Sequence, residues 1–478
     1  MNKKLLVNYI YDFSYQIFVI ITPLITAPYI SRVLQPEGVG VYSYTSSIAS
    51  VFALFAALGV NMYGQREIAY VREDIFQRSK TFWELLIARG IATLVVTIIY
   101  ICFCFLYKQY LVLFLLQSLN IFATMFDISW YFKGVENFKI IAQRNFAIKV
   151  VSVIMIFLLI RKSTDLALYV FIVSFTVLLS YVFFFFHLDK EIIKISFAQL
   201  EPRKHIKGML EFFLPAIAVQ IYSQVDKIML GAIAQNTIEN GYYEQARKIV
   251  NIVSTAVTSI NTVMYPKISV LFAEKRTLDI RKYLGMTFRL ITMMLVPAFI
   301  GLWFVADNFV DWFFGPGYEP TSILIKLSGI LLVFMGIGNF SGMLYLNPTG
   351  NQNKGTGIYI ISAVINVILN VFLIEKFQSV GAIVASIIAE AFSGITQFYL
   401  LQKSAYKFNC ISGFWRYVLS GLVMALALTI CQKISPLIGA PQTILEIVVA
   451  GTAYVLILYI VKDEMVCMAF KKFFNVKL

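Results

Sequence analysis

Apolar residues in this chain come in blocks of about twenty, the length a helix needs to cross a hydrocarbon core about 30 Å thick at about 1.5 Å per residue. A water-soluble fold cannot absorb such blocks. Of 478 residues, 59% are hydrophobic and 14% charged, against about 45–50% and about 25% in an average globular chain. Only helices and closed barrels satisfy every backbone N–H and C=O inside lipid, and these blocks are continuously apolar rather than alternating, so they read as helices. The expected fold class is all-α: a polytopic membrane protein of about 14 transmembrane helices. Spans are read at residues 8–31, 39–64, 82–107, 109–132, 141–160, 166–187, 210–233, 242–265, 283–306, 322–346, 355–374, 380–402, 412–432 and 443–461.

The formal charge of +14 raises nucleic acid as a partner, but the basic residues cluster between spans. With the N-terminus inside, about 28 Lys and Arg fall in cytoplasmic segments and about six in outer loops. Both termini are therefore expected in the cytoplasm, in the cell membrane, with no nucleic acid as partner. The loops 236–241 and 307–320 hold no Lys or Arg, whereas the connections 66–80 and 267–282 are rich in them. Five Cys are present, Cys102 and Cys104 in an apolar block and Cys410, Cys431 and Cys467 scattered. They form neither a zinc spacing nor a disulfide framework, so no metal or cofactor is expected. Met1 to Leu5 lack a signal with a small-residue cut site, and the first block is expected to stay as a helix.

The longest polar break, Asp189 to Lys207, carries Ile192, Ile193, Ile195, Phe197 and Leu200 among charges, the composition of an interfacial linker. It suggests an N-terminal lobe at residues 1–188, a linker at 189–208, a C-terminal lobe at 209–404, and two further helices with a tail at 405–478. The halves look related. "FWELLIARG" and "YLGMTFRL" open the third and ninth spans and place Arg89 and Arg289 alike; "LIRK" from Leu159 and "LIEK" from Leu373 close the fifth and eleventh. Six spans per half give repeats of one orientation, hence a pseudo-twofold axis along the membrane normal and a site between the halves.

A charge at the bilayer centre costs about 2.5–3.5 kcal/mol on insertion scales, so intramembrane charges are expected to face the bundle interior or a watery cavity. In the eighth span Arg247, Asn251, Ser254, Thr255, Thr258 and Thr262 recur at helical spacing. Gln220, Gln224 and Lys227 make a similar line in the seventh, with Asp226 on the adjoining face. The first span offers Asn8, Asp12, Tyr15, Thr22 and Thr26; the second offers Tyr42, Thr45, Ser46 and Ser50. Small polar residues also line helix-to-helix contacts, but Arg247 and Lys227 favour a central hydrophilic cavity. Arg89 and Arg289 suit either neighbouring carbonyls and headgroups or a substrate. Arg32, just past the first span, suits a substrate or snorkelling to the interface. The candidate substrate-binding set is thus Arg32, Arg89, Gln220, Gln224, Lys227, Arg247, Asn251, Thr255, Thr258 and Arg289.

Glu390, near the middle of the twelfth span, is the best-placed carboxylate for protonation or an ion pair, with Asp12 and Asp226 next. Asp127, beside Trp130 and Tyr131, reads as a helix-end partner. His187 and His205 are poor catalytic candidates, one ending a span and the other in the basic linker. Pro23, Pro28, Pro215 and Pro297 interrupt spans and permit kinks.

Several longer stretches resemble one family. "YISRVLQPEGVGVYSY" from Tyr29, "ALGVNMYGQREIA" from Ala57, "DISWYFKGVENFK" from Asp127, "VDKIMLG" from Val225, "GYYEQARKI" from Gly241 and "FGPGYEP" from Phe314 resemble bacterial polysaccharide repeat-unit flippases of the Wzx type. The resemblance implies the multidrug/oligosaccharidyl-lipid/polysaccharide (MOP) exporter superfamily, with a MATE-like fold of two six-helix lobes plus two extra spans. It implies as substrate an undecaprenyl-diphosphate-linked oligosaccharide, flipped from the cytoplasmic to the outer leaflet. It also implies membrane lipids, a coupling proton or sodium ion, and polysaccharide polymerase and chain-length machinery as partners. The chemistry is compatible: Arg and Lys suit a diphosphate, and Gln, Asn, Ser, Thr and Tyr suit sugar hydroxyls.

Three other readings stay open at this point. A drug/cation antiporter of the same superfamily would have an acidic cavity, whereas the candidates here are basic or neutral. A membrane polymerase or glycosyltransferase would need a large outer loop or acidic sites near the outer face, and the outer loops here are short. A scaffold would have no use for a polar cavity.

Overall fold

The computed structural model describes residues 3–188, 192–234, 236–411 and 413–468, with side chains from residue 21 onward except those of residues 215, 218, 219, 221 and 222. Among the described residues every regular element is helical. The α-helices are α1 (Lys3–Ala57), α2 (Val60–Tyr70), α3 (Ile75–Leu106), α4 (Leu111–Ala123), α5 (Ser129–Gly134), α6 (Phe138–Leu159), α7 (Leu166–Phe185), α8 (Ile206–Ile233), α9 (Ile238–Ala273), α10 (Thr277–Phe314), α11 (Pro320–Ser341), α12 (Gln352–Lys403), α13 (Phe414–Ile434) and α14 (Ala440–Ile460).

Ten helical stretches among the described residues are long and apolar enough to span a membrane, so the chain is a multi-pass membrane protein. Two of them, 21–70 and 352–403, each cover two of the spans read from sequence. The first pair runs on through α1 and α2, with breaks at Gln35 (φ 59°, ψ 171°) and at Leu58–Gly59, all three residues at positive φ. At Gln35 part of the cause is local: Pro36 disfavours the α region for its predecessor and drives it to extended ψ. The second pair is α12, broken at Gln378 (φ 53°, ψ −127°). Helices α8 and α9 stand where the seventh and eighth spans were expected but are not among the ten; α9 carries Glu239, Glu244, Arg247, Lys248 and Lys267.

The chain divides into two compact units, Met1–Gly241 and Tyr242–Leu478. In the first, α1 packs on α3, α4, α6 and α8, and α7 packs on α4 and α6. Tyr44, Ala56, Tyr100, Phe114 and Ile121 fill one core; Phe82, Trp130, Tyr131 and Phe184 fill another around the "DISWYF" turn. By packing, α8 belongs to this unit, against α1 and α2. The stretch Pro36 to Gly40 meets the start of α9 main chain to main chain. A Cβ on Gly40 would collide with the Thr237 carbonyl, and one on Gly241 with the Pro36 carbonyl, so both positions require glycine.

The described part of the linker is pinned to α3. Trp83 Nε1 donates to the Ile193 carbonyl at 3.0 Å, and the Ile193 N–H donates to Ser79 Oγ at 3.0 Å. Further along, the buried Glu84 carboxylate accepts the Glu201 N–H at 2.9 Å, bonds His205 Nε2 at 2.9 Å and pairs with Lys204 Nζ at 2.7 Å. The other ring nitrogen of His205 meets Tyr63 Oη at 2.9 Å. His205 is therefore a buried tie between α2, α3 and the entrance to α8.

In the second unit α11 packs on α10 and α12, and α10 also packs on the α13–α14 pair. Leu284, Leu295, Leu332, Phe340 and Leu344 lie in its main core. Helix α11 ends in a π-helical turn at Gly342–Leu346.

Candidate functional site

Inside the first unit, α1, α6 and α7 enclose a polar cavity of about 410 Å³, within the usual range of about 300–1,000 Å³ for ligand sites. Thr22, Thr26 and Tyr42, members of the polar lines read in the first two spans, face it. Opposite them α6 presents Asn145, Lys149 and Ser152, spaced four and three apart and so on one helix face. Arg144 completes this wall. Its Nη1 donates to Ser180 Oγ on α7 at 2.7 Å, and its guanidinium lies 4.4 Å from the Phe184 ring centroid and 5.6 Å from that of Tyr181, a geometry that fixes the cation by cation–π attraction. Among the described lining residues two are cations, Arg144 and Lys149, and none is a carboxylate.

A second cavity of about 320 Å³ shares Arg144 and Asn145 with the first and adds Ser129, Lys133 and Phe138. Its wall is built from the "DISWYFKGVENFK" stretch. That segment leaves the membrane helix α4 through a 3-10 turn, Thr124–Phe126, and re-enters a helix at Ser129, whose N–H is held by Asp127 Oδ1 at 3.0 Å.

Arg89 is 1% exposed, with Nη2 3.1 Å from Asp127 Oδ2 and Nη1 2.8 Å from Asn61 Oδ1. It joins α3, the α2 segment and the α4–α5 connection inside the first unit. Arg289 is more exposed and reaches Glu464 Oε2 at 3.4 Å. The two arginines read as a repeated pair thus each engage a carboxylate. Arg32 is exposed, and Gln35 Nε2 donates to its carbonyl at 2.6 Å.

On α8, Gln220 and Gln224 are partly exposed and meet through Ser223. Asp226 is buried, and the Lys227 carbonyl accepts from Asn240 Nδ2 at 2.7 Å, tying α8 to α9. Along α9 Asn251 and Thr255 are exposed, while Arg247 and Thr258 are partly covered. The Thr255 and Thr258 hydroxyls donate to the carbonyls of Asn251 and Ser254. Of the line read in the eighth span, Asn251, Thr255 and Thr262 are thus exposed, Arg247 and Thr258 partly covered, and Ser254 buried. Glu390 is half-buried on the second limb of α12. Asp12 lies outside the described side chains.

The sequence reading singled out neither Arg144 nor Lys149. The signal was present as Asn145, Lys149 and Ser152 on one face of an otherwise apolar helix. The apolar majority of the fifth span hides that face from a reading by composition.

The second unit holds a cavity of a different kind, about 360 Å³ between α9, α10, α11, α13 and α14, lined by Val253, Pro297, Phe309, Met424 and Ala450 and relieved by one polar side chain, Thr443. Trp312 Nε1 and Asn308 Nδ2 both donate to the Thr443 hydroxyl, at 2.8 and 2.7 Å, so even that group is turned to structure.

Comparisons with known proteins agree with the motifs. Residues 5–272 match the family model described as polysaccharide biosynthesis protein. A putative O-antigen transporter of Escherichia coli K12 is 23% identical over 383 residues, which cover 77% of this chain and 89% of that protein. A probable low-salt glycan biosynthesis flippase of Haloferax volcanii is 28% identical over 216 residues, 44% of each chain. Among solved structures, the lipid II flippase MurJ in an inward closed conformation superposes with a TM-score of 0.74 over 96% of this chain and 100% of that one, at 15% identity. An inward-facing MATE family transporter of the MOP superfamily gives 0.60 at 16% identity, covering 79% and 92%. At such identities the likeness to these structures is one of fold. The chain is thus an all-α, MurJ- and MATE-like membrane protein and belongs to the polysaccharide biosynthesis protein family, as its motifs implied.

Proposed function

We propose that this protein flips an undecaprenyl-diphosphate-linked oligosaccharide from the cytoplasmic to the outer leaflet of the cell membrane by alternating access, driven by an ion gradient. Both termini lie in the cytoplasm in this reading. A polysaccharide polymerase with its chain-length machinery then takes over the delivered unit. The observation that carries the reading is the match of the chain to this family together with a polar cavity inside the first unit whose described lining offers cations and hydroxyls, groups that suit a charged, hydroxyl-rich head. A lipophilic cation would be repelled by a wall bearing Arg144 and Lys149, which speaks against the antiporter. The lobe organisation at 1–188 and 209–404, the substrate-facing roles of Arg247 and Lys227, and coupling through Glu390 belong to the same proposal. One elementary charge moving through 100 mV supplies about 2.3 kcal/mol.

The test is leaflet exposure of undecaprenyl-diphosphate oligosaccharide in vesicles containing the purified protein, with and without an imposed ion gradient. Protein-dependent appearance on the opposite face, accelerated by the gradient, is expected. Immobility of several glycolipids together with efflux of a lipophilic cation would replace the flippase by the antiporter.

A further inference from the structure

We infer that Glu446 on α14 is a proton-binding site, its proton held between the carboxyl group and the side-chain amide of Gln442.

Helix α14 is one of the ten stretches able to span a membrane, and Glu446 lies on it with 1% of its surface exposed. A carboxylate taken out of water with no cation beside it is costly, and such a group is better neutralised by a proton. The donors that reach Glu446 are neutral: Gln442 Nε2 and Gln432 Nε2 both donate to Oε1, at 2.9 and 3.1 Å. The helices chiefly packed on α14 are α13 and α10, and their charged groups are placed elsewhere. On α13, Arg416 is turned to Asp463, around which Tyr417 and Tyr454 also gather, and Lys433 sits exposed in the last turn. On α10, Arg289 reaches Glu464, Asp307 pairs with Lys326 and Asp311 is exposed. Arg276, Asp279, Arg281, Lys282 and Tyr283 stand at the opposite end of α10 from Phe304. Cys431 on α13 is close enough to sense a charge on Glu446, but a thiol supplies no positive charge.

What this cage lacks is one hydrogen. Glu446 Oε2 and Gln442 Oε1 are both buried, and neither has a donor. They belong to two side chains already joined through Oε1 and Nε2. A proton on Oε2 gives that oxygen an O–H to donate to the Gln442 carbonyl, closing an acid–amide pair that satisfies both orphans at once. An ionised carboxylate offers acceptors alone and leaves both unpaired. The packing of three helices depends on the same group, because Gln432 Nε2 also donates to the Phe304 carbonyl at 2.8 Å and so ties α10 and α13 to α14. Water is near: Gln432 is exposed, and Glu446 lies about 9 Å along α14 from its first residue, Ala440, at about 1.5 Å per residue. Proton binding follows from this geometry alone. Its part in transport, as a carboxylate through which pH acts in addition to Glu390, rests on the flippase reading.

The test uses the full-length protein in nanodiscs at neutral pH. Infrared difference spectra between the parent and Glu446→Gln, taken in light and in heavy water, report the carbonyl stretch of a carboxylic acid. The parent is expected to show such a band, moved by deuterium, missing from Glu446→Gln and displaced in Gln442→Leu, which removes the acceptor. Carboxylate stretches in place of that band would overturn the site. Melting temperature gives a second reading. Glu446→Gln sets an N–H where the proton is inferred and is expected to melt at or above the parent, whereas Glu446→Leu, which strands both amides, melts lower. A Glu446→Gln protein that melts as low as Glu446→Leu would mean that the amides hold a charge, and would overturn the proton. The parent band and its displacement in Gln442→Leu do not depend on how Glu446→Gln folds. Flipping assays separate the two levels: an unchanged rate and pH response in Glu446→Gln, with the band present in the parent, removes the part in transport and leaves the proton site and the flippase. The band in a parent that flips no glycolipid removes the flippase and leaves the site.

Discussion

Arg89 and Asp127 stand 3.1 Å apart with almost no exposed surface, the guanidinium also reaching Asn61. A buried pair of this kind holds parts together, and its value shows when half of it is removed. Arg89→Leu or Asp127→Leu alone leaves a charge stranded and is expected to cost about 3–5 kcal/mol, whereas the double replacement costs less than either single one. Thermal unfolding of the purified variants in detergent reads this directly. Additive losses in the double variant would show that the two side chains act independently.

The main-chain seam at Gly40 and Gly241 leaves no room for a methyl group. Gly40→Ala is expected to destabilise by about 1–3 kcal/mol, the usual range for forced overpacking, and Gly241→Ala similarly. Expression and melting temperature against the parent measure it; unchanged values in both would mean that α1 and α9 part easily.

The tie of Tyr63, His205 and Glu84 predicts a local effect. Glu84→Gln removes the charge that Lys204 and His205 share, with a loss of about 1.5–3 kcal/mol for charged hydrogen bonds. Limited trypsin digestion at Arg203 and Lys204 is then expected to run faster than in the parent. A digestion rate equal to the parent's would show the linker to be held by Trp83 and Ser79 instead.

For the transport step, Arg247→Ala and Lys227→Ala are each expected to lower flipping by about tenfold, the scale of one charged hydrogen bond, while Ile98→Ala, on a side chain 62% exposed, leaves it near the parent level. Parent-level transport by both basic variants at equal expression would remove α8 and α9 from the substrate path.

Glu390→Gln is expected to change how transport responds to the ion gradient and to pH. If the rate keeps the parent's dependence on both, Glu390 belongs to the packing of α12.

The helices were legible because blocks near residues 82–107 or 322–346 carry their own evidence: each satisfies its backbone internally, and length and hydropathy suffice. Pairing was not. His205 meets Tyr63 across 142 positions and Glu84 across 121, contacts that no local period encodes. Arg89 read as substrate contact or structural brace with equal ease, since the partner that ties it down, Asp127, is 38 residues away. Lys149 sat in a span whose apolar majority masked a three-residue polar face. The break at Gln35, by contrast, is signalled by the Gln-Pro pair, a local feature.

That break also bears on mechanics. At Gln35, and again at Gln378, consecutive limbs are joined through one residue with no slack between them. A joint of that kind would couple the tilt of one limb to the tilt of the next. Bending within a limb would then fall where the regular ladder is already interrupted, at Pro28, at Pro297 and at the π turn Gly342–Leu346.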